Sequence, residues 1–113
     1  MNIGKLQKSA HRMINGAGGA GFLIRAGVKR LITTARIEFK PTERGLYADG
    51  SERFFVSALG LITPPDENLD ILEFKGKGLT TRRYRIIQPP AGPRPNGIVV
   101  YYDCICMYSE TVA

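Results

Sequence analysis

Glycine and proline interrupt this sequence so often that long helices are excluded over most of it. There are 13 glycines and 7 prolines in 113 residues. Each glycine costs a helix interior about 1 kcal/mol and each proline about 3. What survives between the breaks is a series of short apolar-rich runs, the pattern of strands joined by turns. At this length the chain is a single folding unit with room for one modest core.

The clearest run is VKRLITTARIEFK (28–40). Leu31, Thr33, Ala35, Ile37 and Phe39 alternate with Arg30, Thr34, Arg36, Glu38 and Lys40. This period of two predicts a strand with the first set buried and the second wet. FLIRAG (22–27) reads as a strand before it, and RFFVSALGLI (53–62) as one after it, stopped by TPPDEN. LDILEF (69–74) and RRYRII (82–87) flank the break KGKGLTT and form a hairpin. Tyr84 and Ile86 take core positions there, which leaves Arg83 and Arg85 exposed. PPAGPRPNG (89–97) is a rigid connection to the closing run IVVYYDCICMY (98–108).

That last run is apolar on both faces. Val100, Tyr102, Cys104 and Cys106 lie on one side, and Val99, Tyr101, Ile105 and Met107 on the other. The second face needs a cover, either an N-terminal helix or another subunit, and the subunit is the favoured reading. The sum is a mainly β fold: a small β-barrel or sandwich of five to six strands with a short N-terminal helix or arm.

IGKLQKSAHRMI (3–14) sets Ile3, Leu6, Ala10, Met13 and Ile14 at helical spacing, with Lys5, Lys8 and Arg12 off that stripe. NGAGGAG (15–21) then ends the helix. Within it GAGGAG matches G-x-G-x-x-G, but that motif works only between a strand and a following helix, and here the order is reversed. The reading is a flexible joint, dividing a basic arm (1–21) from a barrel (22–113).

Charge is uneven. The net charge is +6, and the first 37 residues contain no acid at all; the first carboxylate is Glu38. Such a segment is either a solvated face or a surface that meets phosphates or an acidic protein. Lys5, Lys8, Arg12, Arg25, Lys29 and Arg30 are the candidate contacts.

Catalytic chemistry finds little footing. The single histidine, His11, stands far in sequence from Cys104 and Cys106, which read as buried free thiols of a reducing compartment. Asp66, Glu67, Asp70 and Glu73 read as solubilising charges near turns or on a wet strand face. No metal-ligand spacing is present, and no cofactor is expected. Neither a signal peptide nor a membrane span is legible, so the chain is expected to fold inside a cell. RRYR (82–85), where cations flank an aromatic, leaves a small nucleic-acid-binding barrel as an alternative.

The second half, LDILEFKGKGLTTRRYRIIQPP followed by GIVVYYDCICM, resembles the C-terminal half of the head-completion (head-closure or stopper) proteins of long-tailed bacteriophages. The likeness rests on Asp70, Leu72, Phe74, Gly76, Tyr84, Arg85, Ile86 and the run Val99–Tyr102. It covers about residues 53–108, with a looser match at 28–40. The turn KGKGLTTR is longer than the family's usual hairpin, and the glycine-rich N-terminal segment has no counterpart there.

The resemblance implies a non-catalytic β-barrel that assembles as a homo-oligomeric ring in the virion neck after folding in the host cytoplasm. Its partners would be the portal or adaptor protein of the head, the tail-terminator or tail proteins, and packaged double-stranded DNA in the channel. Ring contacts are heterologous, and Val99, Tyr101, Ile105, Met107, Arg83 and Arg85 are the candidate interface. The segment 41–52, with Pro41, Arg44, Gly45, Tyr47, Asp49 and Gly50, would be a channel-plugging loop or a plain solvent loop. A tail terminator or another virion connector is the nearest alternative.

Overall fold

A computed structural model describes residues 2–38, 50–76 and 80–112. Helix α1 (Ile3–Ala17) leads into strands β1 (Gly19–Arg25), β2 (Val28–Ile37), β3 (Ser51–Ser57), β4 (Asp70–Lys75), β5 (Thr81–Ile86) and β6 (Tyr101–Thr111). The fold is mainly β: a closed six-stranded barrel in the order β1-β2-β3-β6-β5-β4. Two three-stranded meanders, β1–β3 and β4–β6, meet edge to edge at two antiparallel seams, β1 against β4 and β3 against β6. Closure leaves no strand edge unpaired.

The β1–β2 link is the two-residue turn Ala26-Gly27, with φ of 50° and 79°. Both angles are positive, as the hairpin turn that matches strand twist requires. This turn and the connections 58–69 and 87–100 lie at one end of the barrel, here called the lower end. The C-terminal end of α1, the last residues of β4 and the first of β5 lie at the upper end. Ala58, Leu61 and Val99 pack against the core and plug the lower end. Residues 87–91 continue alongside β6 through Ile87 N–H to Ile105 O and a bridge between Ala91 and Asp103.

Leu23, Ile32, Phe54, Val56, Leu72, Tyr84, Ile86, Tyr102, Cys104 and Cys106 fill the interior. Phe54 anchors it, with ring centroids 4.7 Å from Tyr84 and 5.8 Å from Phe74. Tyr84 and Ile86 are core residues, as the alternation in RRYRII requires. On β2, however, the faces are the reverse of the sequence expectation. Ile32 and Thr34 point inward, while Leu31 is 70% exposed. Pairing settles this: Ile32 stands opposite Gly21 and Thr34 opposite Val56, both interior positions. The Thr34 hydroxyl donates to Phe55 O at 2.7 Å, so a polar side chain is satisfied inside. Ala35 is buried on the outer wall, beneath α1. Phe39 lies outside the described residues.

The glycine-rich run is not a joint. Gly16 and Ala17 finish α1, Gly18 caps it by donating to Ile14 O at 2.9 Å, and Gly19–Gly21 open β1. These glycines serve close approach instead of flexibility. A Cβ at Gly18 would sit 2.1 Å from Thr34 O, and one at Gly21 2.8 Å from Glu73 O.

The inward stripe of α1 also differs from expectation. Asn2 caps the helix by accepting from Lys5 N–H at 3.1 Å, and Ile14 is buried, but Met13 is 75% exposed and Leu6 is exposed too. Polar residues take their place. Gln7 donates to Val99 O at 2.9 Å, and His11 Nδ1 shares a 2.8 Å hydrogen bond with Ser57 Oγ. The outer wall of a barrel presents hydrogen-bonding groups between its apolar residues, so the helix docks through a mixed face.

Candidate functional site

Two of the four acids expected to be solubilising, Asp70 and Glu73, are the best-buried charges among the described residues. Asp70 and Glu73 are almost fully enclosed. Asp70 accepts from Arg25 at 3.1 and 2.7 Å, from Arg30 Nη2 at 3.0 Å to both oxygens, and from the Asp66 amide at 2.9 Å. Burial pushes its carboxyl up, but the hydrogen bonds from Arg25, the Asp66 amide and Arg30 prevail and hold it below its ordinary value.

Glu73 behaves alike on the outer wall. Lys29 Nζ reaches it at 3.1 Å and Arg83 Nε at 3.0 Å. Burial again pushes the carboxyl up, and these donors bring it below its ordinary value. Arg83 then bonds Glu110 at 3.1 Å, and Lys29 stands 5.3 Å from the Phe22 ring centroid. The result is a ladder of alternating charge across the barrel wall.

This pairing divides the six candidate cationic contacts. Arg25, Lys29 and Arg30 are neutralised within the chain. Lys5, Lys8 and Arg12 stand exposed on the solvent side of α1, with no ion pair among the described residues.

The candidate interface residues divide as well. Ile105 is 7% exposed, so the single chain already buries it. Tyr101 packs on Phe55 at 4.7 Å, and Arg53 lies over Phe55 while bonding Asp103 at 2.6 and 2.9 Å. Part of the outer face of β6, at Tyr101, Asp103 and Ile105, is thus covered by its own chain. Val99, Tyr101 and Met107 are half-buried, Arg83 is paired, and only Arg85 is both exposed and without an ion pair among the described residues.

Of the candidate channel loop, Pro41, Arg44, Gly45, Tyr47 and Asp49 lie outside the described residues. Gly50 is exposed directly before β3, at φ 84°.

The apolar surface lies elsewhere. Val28, Leu59, Ile62, Leu69 and Ile98 are exposed at the lower end, with Leu31 on the outer wall beside them. They make up six of the nine large exposed hydrophobic residues among those described. Sequence reasoning missed them because each looked like a core residue of its run or a loop residue without a partner. Ile62, which closes an apolar run, is 97% exposed.

His11 and Ser57 were far apart in sequence and are now in contact. Ser57 is buried, and its Oγ also accepts from Leu59 N–H at 3.2 Å. The contact fastens α1 to β3. Cys104 and Cys106 are free and enclosed; burial pushes the Cys104 thiol up to about 12 and the Cys106 thiol well above its ordinary value. Among the described residues no three acid, cysteine or histidine side chains gather as a metal site, and no helix is long and apolar enough to cross a membrane. No family model, curated protein or solved structure matches this chain.

Proposed function

We propose that this protein is a structural, non-catalytic virion component: one subunit of a ring at the head–tail joint of a long-tailed bacteriophage. In this reading the ring closes the DNA-filled capsid below the portal and offers the tail a docking surface. The observation that carries it is the apolar lower end. A monomer of this size rarely displays so many large aliphatic side chains together, and such patches are usually covered by other proteins. The resemblance of residues 53–108 to head-completion proteins supplies the identity of the neighbours.

The ring contact is assigned to Val28, Leu31, Ile62 and Leu69 in preference to the outer face of β6. Their aliphatic surface suits a heterologous contact, in which one patch meets a different patch on the next copy. Localising the protein in assembled particles tests the reading directly. Density at the neck is expected; a subunit found only elsewhere in the particle overturns it.

The exposed cations Lys5, Lys8 and Arg12 support a second reading, a small nucleic-acid-binding barrel. Three phosphate contacts give a slope of log affinity on log salt of about −3. A steep slope of that size for the isolated protein favours this reading, whereas poor DNA binding together with portal binding favours the connector.

A further inference from the structure

The two ends of the barrel are built differently. The lower end is stoppered by Ala58, Leu61 and Val99, and the upper end is lined differently among the described residues. A cavity of about 300 Å³ lies there, between the end of α1 and the base of the β4–β5 link. Its origin is a notch in the wall. Gly18, between α1 and β1, lines it without a side chain. Gly76 lies one alternation beyond the pair Gly21–Phe74 and also lines the cavity. The wall therefore carries no side chain at either of these two positions.

The surfaces around this notch have a definite chemistry. Phe74 and the buried Tyr84 contribute flat apolar walls, and Thr80 adds a hydroxyl. Among the described residues the charged lining is Arg36, Lys75 and Arg82, with no carboxylate. Arg36 is paired with Glu52 at 2.8 Å. Lys75 and Arg82 have no ion pair among the described residues, and the Arg82 guanidinium rests 5.5 Å from the Tyr108 ring centroid. The C-terminal end of α1 adds only about half a negative charge. Among the described residues, three cations against one carboxylate and that dipole leave the mouth positive.

We propose that this mouth binds a small aromatic anion: a single flat ring carrying a phosphate or carboxylate. The ring would lie in the notch against Phe74 and Tyr84, and the anionic group would meet Arg82 and Lys75 at the rim. The volume is at the lower end of the range for small-molecule pockets, which suits one ring and not a dinucleotide. The site lies within one chain, so it does not depend on the ring reading above.

Calorimetric titration of the full chain with phenyl phosphate tests it, with inorganic phosphate and phenol as controls. Phenyl phosphate is expected to bind at least tenfold more tightly than either control. Amide shifts in NMR spectra are expected at Gly18, Thr80 and Tyr84. The exposed substitutions Lys75→Gln and Arg82→Gln are each expected to weaken binding about tenfold with an unchanged melting temperature. Should either variant fail to fold, the amide shifts of the unaltered protein decide the matter. Equal affinity for phenyl phosphate and inorganic phosphate, or shifts confined to Lys5, Lys8 and Arg12, overturns the proposal.

Discussion

Arg25 and Asp70 face each other across the β1–β4 seam and join in a two-pronged ion pair, with Nε to Oδ1 at 3.1 Å and Nη2 to Oδ2 at 2.7 Å. Arg30 reaches the same carboxylate from the next strand, so one buried acid ties β1, β2 and β4 together at the lower end. Removing one member of a buried ionic group costs more than the group contributes, because the remaining charges lose their partner. Asp70→Asn is therefore expected to destabilise the fold by about 3 kcal/mol in chemical denaturation. A loss below about 1 kcal/mol would show that the cluster contributes little to stability.

The same two acids set an acid limit. Asp70 and Glu73 both have folded-state values below their ordinary 3.8 and 4.5. A depressed carboxyl contributes stability that is fully present above its unfolded value and is lost as pH falls through the folded one. Unfolding free energy should be flat from neutral pH down to about 5 and then fall steadily toward pH 2, with more than one proton taken up on unfolding. In Asp70→Asn that acid slope should shrink. An unchanged slope would place the acid sensitivity elsewhere.

Gly18 offers a steric test. A methyl group there would sit 2.1 Å from Thr34 O, and backbone on both sides prevents easy relief. Gly18→Ala should cost about 2 kcal/mol or more despite alanine's better helix propensity. Gly16, whose Cβ would meet nothing, is the control: Gly16→Ala should be neutral or stabilising. Equal effects at both sites would contradict the close approach of α1 to β2.

At the lower end, Leu31→Glu with Ile62→Glu should leave the melting temperature within a few degrees, since both side chains are largely in solvent. If the lower end is a ring contact, the double variant should be excluded from assembled particles. Normal incorporation would remove these residues from any subunit interface.

The thiols should be inert in the native state. With Cys104 pushed up to about 12 and Cys106 pushed well above its ordinary value by burial, neither offers appreciable thiolate at pH 8. A disulfide reagent should label both at least a hundredfold more slowly than in denaturant. Rapid native labelling would mean that β6 opens readily.

Much of the architecture was legible in local pattern. The hairpin of β4 and β5, the inward Tyr84 and Ile86, a connection between β5 and β6 and the helical start all follow from periodicity and turn chemistry, which act over a few residues. The faces of β2 and of α1 did not. Ile32 and Leu31 are both apolar, and the helical stripe holds both Ile14 and Met13; the sequence alone has no means of telling which member of each pair is buried. Pairing of Ile32 with Gly21 and docking of His11 on Ser57 make that choice.

The candidate surfaces divide along the same line. That the N-terminal third carries cations without acids is a property of the chain alone, as is its punctuation into short strands. Which of those cations remain free is a property of the closed barrel. Asp70 lies 45 residues from Arg25 and 40 from Arg30, and it is a solubilising charge until the β1–β4 seam forms around it. Local sequence sets what each segment prefers, because those preferences arise from near neighbours. Burial, and with it the pairing of charges and the stoppered lower end of the barrel, arises only when distant strands close the circle.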